Sequence, residues 1–209
     1  MGLGMFSSFD AVEKLPKPGS NRDRLAAYRS QVPEGNSGPW SVECFEVTND
    51  LGLWRLMRDG RGCAPGMYTR LCHDNRGVIM SDTDAELDDL REFRIRAKGR
   101  VLIHGLGLGC ALQMALTKKE VKSVDVVELD KDVLALVSPH FADKRVTFHH
   151  GDCFTFDWPK RKVWDVVWHD VWDEICGDNV PAIRKIERRF ADRCNWQGTW
   201  AKHLAMRHR

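Results

Sequence analysis

The sequence predicts an α/β fold, a parallel sheet wound between helices and preceded by a smaller hairpin-and-helix region. Three observations carry this reading. From Arg100 onward, short Val-rich runs alternate with helical runs of about a dozen residues, the pattern of successive β-α-β units. These strand runs are apolar on both faces, as strands lying between helix layers must be. The first of them, "RVLIHG", opens into glycine at every second position, Gly105, Gly107 and Gly109.

Composition sets the frame. Of 209 residues, 43% are hydrophobic and 30% charged, an ordinary globular balance. Against 30 acidic residues stand 32 basic ones, so the net charge of +2 gives no clear nucleic-acid signal and no pull toward an anionic membrane. Seven cysteines without a C-x-x-C pair are expected as free thiols in a reducing, cytoplasmic setting. The spacing of Cys63, Cys72 and His73 matches no zinc pattern, and no metal is expected. No apolar run approaches the ~18 residues of a membrane span. "MGLGMFSSFD" lacks the basic start and apolar core of a signal peptide.

In chain order, residues 1–39 carry "KLPKPGSNRDR" and "VPEGNSGP" and read as a mobile N-terminal arm. Residues 40–98 form the hairpin-and-helix region. It holds a strand "WSVECFEVT", a short helix "DLGLWRLMRDG", and a hairpin "GMYTRLCHDNRGVIMSD" turning between His73 and Gly77. One helix follows in "DTDAELDDLREFRIRAKG", with Ser81 or Asp82 as cap and Lys98 and Gly99 closing it. Residues 99–209 form the core. After "RVLIHG" come a helix "LGCALQMALTKK", a strand "SVDVVELD", a helix "KDVLALVSPHF" and a strand "RVTFHHGD". A fourth strand, "VWDVVWHDVW", precedes the helix "NVPAIRKIERRFADRC". The tail "NWQGTWAKHLAMRHR" offers no apolar strand. The sheet is therefore expected to be truncated, its edge covered by Trp196 and Trp200 or by a partner, a homodimer included.

In such a sheet ligands bind beyond the carboxyl ends of the strands, where the strand order reverses. The glycine loop ends the first strand, letting main chain and a helix N-terminus approach a ligand. Glu128 ends the second, 19 residues after Gly109, the place for an acceptor of ribose hydroxyls. Asp152 ends the third and suits an exocyclic amine such as adenine N6. Asp170 and Asp173 flank Trp172 past the fourth. The loop is G-x-G-x-G with Cys110 where an NAD fingerprint needs glycine, which favours S-adenosylmethionine over NAD.

The residues from about Met67 to Asn179 resemble the spermidine synthase-like branch of the class I S-adenosylmethionine-dependent methyltransferase family. The stretches that carry the resemblance are "GVIMSDTDAELDDLREF", "GRVLIHGLGLGCAL", "VKSVDVVELDKDVLALV", "RVTFHHGDCFTF" and "VWDVVWHDVWD". It implies a Rossmann-like core behind a β-hairpin region, Glu128 on ribose, Asp152 on the adenine amine, and Asp170 with Asp173 facing the transferred group. Two departures stand out. Aminopropyltransferases carry an acid within the glycine loop, where this chain has Leu106 and Leu108. They also carry a Tyr in the helix after the hairpin, where "AELDDLREF" has no aromatic before Phe93.

The expected cofactor site is therefore His104, Gly105, Leu106, Gly107, Gly109, Glu128, Leu129, Asp152, Cys153 and Asp170. Asp170 and Asp173 are the catalytic candidates: Asp170 as base, Asp173 orienting or pairing the acceptor, with Trp172 as the substrate wall. Trp164 and Trp168 read as core. His169 should point away from Asp170, and His104 either bonds the loop or sits as a satisfied buried histidine. The expected activity is transfer of a methyl group to an unidentified, small-molecule or other, acceptor. Aminopropyl transfer and a non-catalytic binding subunit that needs a partner are the alternatives.

Overall fold

The computed structural model describes residues 25–49 and 62–207. Residues 1–24 of the expected arm and the expected helix "DLGLWRLMRDG" lie outside the described residues. Strand β1 (Gly35–Ser37), β2 (Trp40–Val47), β3 (Gly66–His73) and β4 (Gly77–Ser81) make an antiparallel sheet in chain order. The predicted hairpin is β3–β4, with a register shift at Leu71/Cys72.

The stretch predicted as one helix is two, α1 (Asp84–Asp89) and α2 (Arg91–Arg96). The cause is spacing. Leu87, Leu90 and Phe93 are all buried at intervals of three, and a continuous α-helix would rotate the third away from the first. At Leu90 the chain tightens, its N–H donating to the Leu87 carbonyl at 3.3 Å, which keeps all three facing the core.

Strand β5 (Gly99–His104), α3 (Cys110–Leu116), β6 (Val121–Glu128), α4 (Lys131–Val137), β7 (Val146–His150), β8 (Trp164–His169) and α5 (Val180–Phe190) follow as predicted. Pro139 ends α4 in a single 3-10 turn, Ser138–His140. The sheet is parallel throughout, in the order β7-β6-β5-β8-β9. This is the predicted Rossmann-like core. Chain order runs outward from β5 on one side and then restarts at β8 on the other, so the reversal lies between β5 and β8.

The expected end of the sheet at β8 needs correction. Strand β9 (Cys194–Thr199) pairs parallel to β8, from Trp164 opposite Cys194 to His169 opposite Thr199. Its sequence, "CNWQGT", is too polar to read as a parallel strand. Its amides and hydroxyl find partners instead of an apolar layer: Asn195 on Asp165 at 3.1 Å, Gln197 on the Glu187 carbonyl at 2.9 Å, and Thr199 on the Glu187 carboxylate at 3.0 Å. A short helix α6 (Lys202–Ala205) follows.

Residues 25–39, expected as part of a mobile arm, are packed. Leu25 and Val32 are buried in the main core. The Ser30 N–H donates to Asp82 at 3.0 Å and its hydroxyl to the Leu108 carbonyl at 3.1 Å. Ser37 and Trp40 reach the start of α4, donating to Asp132 and Asp130, each at 2.8 Å. The antiparallel sheet is thus fastened directly onto the glycine loop and the end of β6. Two apolar clusters fill the faces of the parallel sheet. Val101, Ile103, Val124, Val126 and Phe93 lie on one side, and Leu102, Val127, Val167, Ile186 and Phe190 on the other.

Candidate functional site

A cavity of about 450 Å³ opens where β5 and β8 part, and every strand end predicted to carry chemistry lines it. Gly105, Leu106 and Gly107 come from the loop after β5, and Glu128 to Asp130 from the end of β6. Gly151 to Cys153 come from the end of β7, and Asp170 to Asp173 from the end of β8. The opposite wall is Trp40, Arg76, Met80, Glu86, Leu87 and Leu90 from the antiparallel sheet and α1.

The glycines are explained by protein as much as by any ligand. Gly105 has φ +87°, and a β-carbon there would strike the main-chain carbonyl of Asp170. The same carbonyl-side closeness is seen in the amides: Asp170 N–H donates to the His104 carbonyl at 2.9 Å and Gly105 N–H to that of Val127 at 2.8 Å. Met80 presses on Gly107 and Phe141 on Gly109. The Met80 thioether also accepts from the Leu108 N–H at 3.2 Å.

Glu128 is buried and held by two main-chain donors, Leu106 N–H at 2.7 Å and Asp130 N–H at 2.9 Å. A carboxylate has about four lone-pair positions, so the side chain, which lines the cavity, keeps acceptor capacity. Burial pushes its carboxyl above the usual range, against those two donors. Asp152 caps its own turn, accepting from Phe154 N–H at 2.8 Å, and still borders the cavity. Leu129 is exposed at the rim, while Cys110 and Cys153 are buried. Desolvation pushes the Cys153 thiol up to about 12 and Cys110 well above its ordinary value, so both line the cavity as neutral, apolar groups.

Asp170 and Asp173 differ sharply. Desolvation pushes Asp170 up to about 7, and the Glu86 and Asp89 carboxylates add to this against the Trp168 indole N–H, which donates at 3.4 Å. Asp173 is half-exposed and bound to Arg76 at 2.6 Å, with the Arg76 guanidinium over the Trp40 ring at 4.8 Å. The tip of the β3–β4 hairpin is thereby tied across the cavity mouth to the chain after β8. Trp172 lines the cavity as expected. Trp164 and Trp168 are core, as read from the sequence, but Trp168 also supplies the donor to Asp170.

The His104 side chain stands apart from this site. It is fully buried against Phe190, 4.8 Å between ring centroids, and its Nδ1 meets His169 Nδ1 at 2.8 Å. Sequence reasoning missed Arg76, Met80, Trp40 and Glu86. The one signal available was Arg76 within the predicted turn, which marks the turn but not what it faces. Among the described residues no group of three or more His, Cys, Asp or Glu is placed to hold a metal. None of their helices is long and apolar enough to cross a membrane.

No family model and no curated protein matches the chain. Solved structures do. The spermidine synthase of Thermotoga maritima is 17% identical, covering 78% of this chain and 52% of its own, at a TM-score of 0.44. The amino pentose methyltransferase CalS10 of Micromonospora echinaspora, solved with S-adenosylmethionine, is 26% identical over 51% of this chain and 42% of its own, at 0.38. A methyltransferase from Mesorhizobium loti that depends on the same cofactor is 21% identical over 41% and 39%, at 0.35. The chain spans about half of these proteins, or less.

Proposed function

We propose that this chain is an S-adenosylmethionine-dependent methyltransferase whose cofactor lies along the strand-end cavity. The observation that carries the reading is Glu128: a buried carboxylate held by main-chain donors at a strand end and lining a cavity large enough for a nucleoside. The residues present fit the cofactor. Glu128 would hold the ribose hydroxyls and Asp152 the adenine amine, between Leu129 and the neutral thiol of Cys153. The glycine loop and Asp170 border the methionyl end. The bound cofactor supplies an electrophilic methyl group with a neutral thioether leaving.

The chain's own contribution is alignment, exclusion of water and management of one proton. Asp170 is the base for an acceptor hydroxyl or ammonium: a carboxyl pushed up to about 7 is half ionised near neutrality and strong enough to take a proton. Trp172 walls the acceptor side, and Asp173 with Arg76 closes its mouth. No carboxylate stands within the glycine loop to receive the amine of a decarboxylated cofactor, which disfavours aminopropyl transfer.

Calorimetry against S-adenosylmethionine, S-adenosylhomocysteine, the decarboxylated cofactor and NAD tests the reading. We expect the first two to bind and Glu128→Ala to weaken them by about 100-fold, the loss of two hydrogen bonds to a charged group. Unchanged affinity in Glu128→Ala, or preference for NAD, would remove the assignment. Preference for the decarboxylated form would point to aminopropyl transfer. Binding with no release of S-adenosylhomocysteine to any acceptor would support a non-catalytic subunit.

A further inference from the structure

Directly behind the cavity, His104 at the end of β5 and His169 at the end of β8 stand opposite each other in register and are both fully buried. Their Nδ1 atoms lie 2.8 Å apart. A contact between two ring nitrogens is a hydrogen bond only if one carries a hydrogen and the other does not. The surroundings decide which. Gln197 donates its amide N–H to the Glu187 carbonyl at 2.9 Å, so its oxygen faces His169 Nε2, at 3.1 Å. His169 therefore carries its hydrogen on Nε2 and presents a bare Nδ1. His104 must donate through Nδ1, which leaves His104 Nε2 bare, buried and without a partner.

This arrangement has no room for a proton. On His169 Nδ1, a proton would set two N–H groups against each other. On His104 Nε2, it would create a fully buried imidazolium with no acceptor. The charged groups around the pair do not relieve this. Arg189 acts on His104 with the same sign as an imidazolium. Near His169, Glu187 is offset by Lys202, to which it is bonded at 2.7 Å. The pair joins the two segments that form the floor of the cavity: Asp170 N–H donates to the carbonyl of His104, and Gly105 follows it with its α-carbon against the Asp170 carbonyl.

We propose that the His104–His169 pair is a proton-sensitive clamp that holds the glycine loop against the Asp170 turn, so that protonating either imidazole opens the ligand end of the sheet. The two histidines are positioning residues. They act on the ligand through Gly105 and Asp170 and touch none themselves.

The test is amide hydrogen exchange at Gly105 and Asp170, corrected for intrinsic rate, beside S-adenosylhomocysteine affinity, at about pH 7.5 and about pH 5. Val101 and Val126 amides report whether the sheet as a whole is intact. Opening the Asp170 turn would also release the proton that its carboxyl holds below about pH 7, which opposes the histidines. The comparison is therefore made in Asp170→Asn as well, where we expect protection at Gly105 and position 170 to fall about 10-fold or more at the lower pH while Val101 and Val126 hold, and in the wild type by less. His169→Leu should lose that protection already at the higher pH. His169→Asn keeps an acceptor where Nδ1 stood; it should restore protection at the higher pH and lose less at the lower. Affinity should follow protection in the wild type and both His169 variants. That arm rests on the cofactor reading, whereas exchange does not: absence of binding at every pH would defeat the cofactor and leave the clamp to be judged by exchange. Wild-type protection of Asp170 in His169→Leu, or a wild-type loss at Val101 and Val126 equal to that at Asp170, would overturn the clamp.

Discussion

At the level of single residues the site turns on two carboxylates treated differently by their surroundings. Asp173 is neutralised by Arg76, whereas Asp170 shares its corner with Glu86 and Asp89 and is left protonated up to about pH 7. As the proposed base, Asp170 would work only when ionised, so we predict that turnover rises with pH to a plateau, with its midpoint near 7. Asp170→Asn should lower kcat by about 100-fold or more and abolish that limb of the profile. A kcat that keeps its rise through pH 7 in Asp170→Asn would assign the proton to another group. Glu128 and Asp170 were legible in the sequence because a strand-end position follows from periodicity alone. Arg76 was not, since its contact with Asp173 joins residues 97 apart. Nor was the second role of Trp168: burial is what an alternating strand predicts, and the direction of its N–H is not.

Among elements, the strands that feed the cavity came through clearly because a fully buried strand has to be apolar on both sides. Strand β9 did not. It forms at an edge, where side-chain amides on Asp165 and Glu187 replace an apolar layer, and that chemistry reads as a loop. The break between α1 and α2 was hidden for a related reason, since a run of threes mimics a helical stripe until its third member must stay on one face. The junction of β5 with β8 is the element contact on which the cavity depends, and it can be probed by comparing two glycines. Gly77 has φ +74° with nothing within 4 Å of a β-carbon, while Gly105 has φ +87° with the Asp170 carbonyl in the way. We predict that Gly77→Ala costs about 1 kcal/mol, the left-handed conformation alone. Gly105→Ala should cost about 3 kcal/mol, because the ends of β5 and β8 must also separate. Urea unfolding of the two variants measures the difference. Equal costs would mean that the strands part without resistance at their ligand end.

For the molecule as a whole, the desolvated Asp170 carboxyl and the buried histidine pair pull stability in opposite directions as pH changes. The Asp170 carboxyl is raised in the fold from its ordinary 3.8, so between about pH 4 and 7 the folded chain holds a proton there that the unfolded chain has lost. On that account stability falls as pH rises through this range. His169 is lowered to about 4 by desolvation, and desolvation holds His104 well below 6.5. The unfolded chain takes up these two protons first, so their contribution is present above about pH 6.5 and is lost as pH falls toward 4. Each group alters the slope by about 1.4 kcal/mol per pH unit at most, so in the wild type the carboxyl offsets part of the histidines' acid sensitivity. Asp170→Asn removes only the offset. Its unfolding free energy should equal that of the wild type near pH 4, rise above it through neutrality, and exceed it at pH 8 by at most about 4 kcal/mol, the free energy of raising a carboxyl from 3.8 to about 7. Denaturant unfolding at several pH values between 4 and 8 draws both curves. Parallel curves would mean that Asp170 is solvated in the folded chain. Asp170 would then be an ordinary carboxylate, and the desolvation on which the proposed proton transfer depends would be absent.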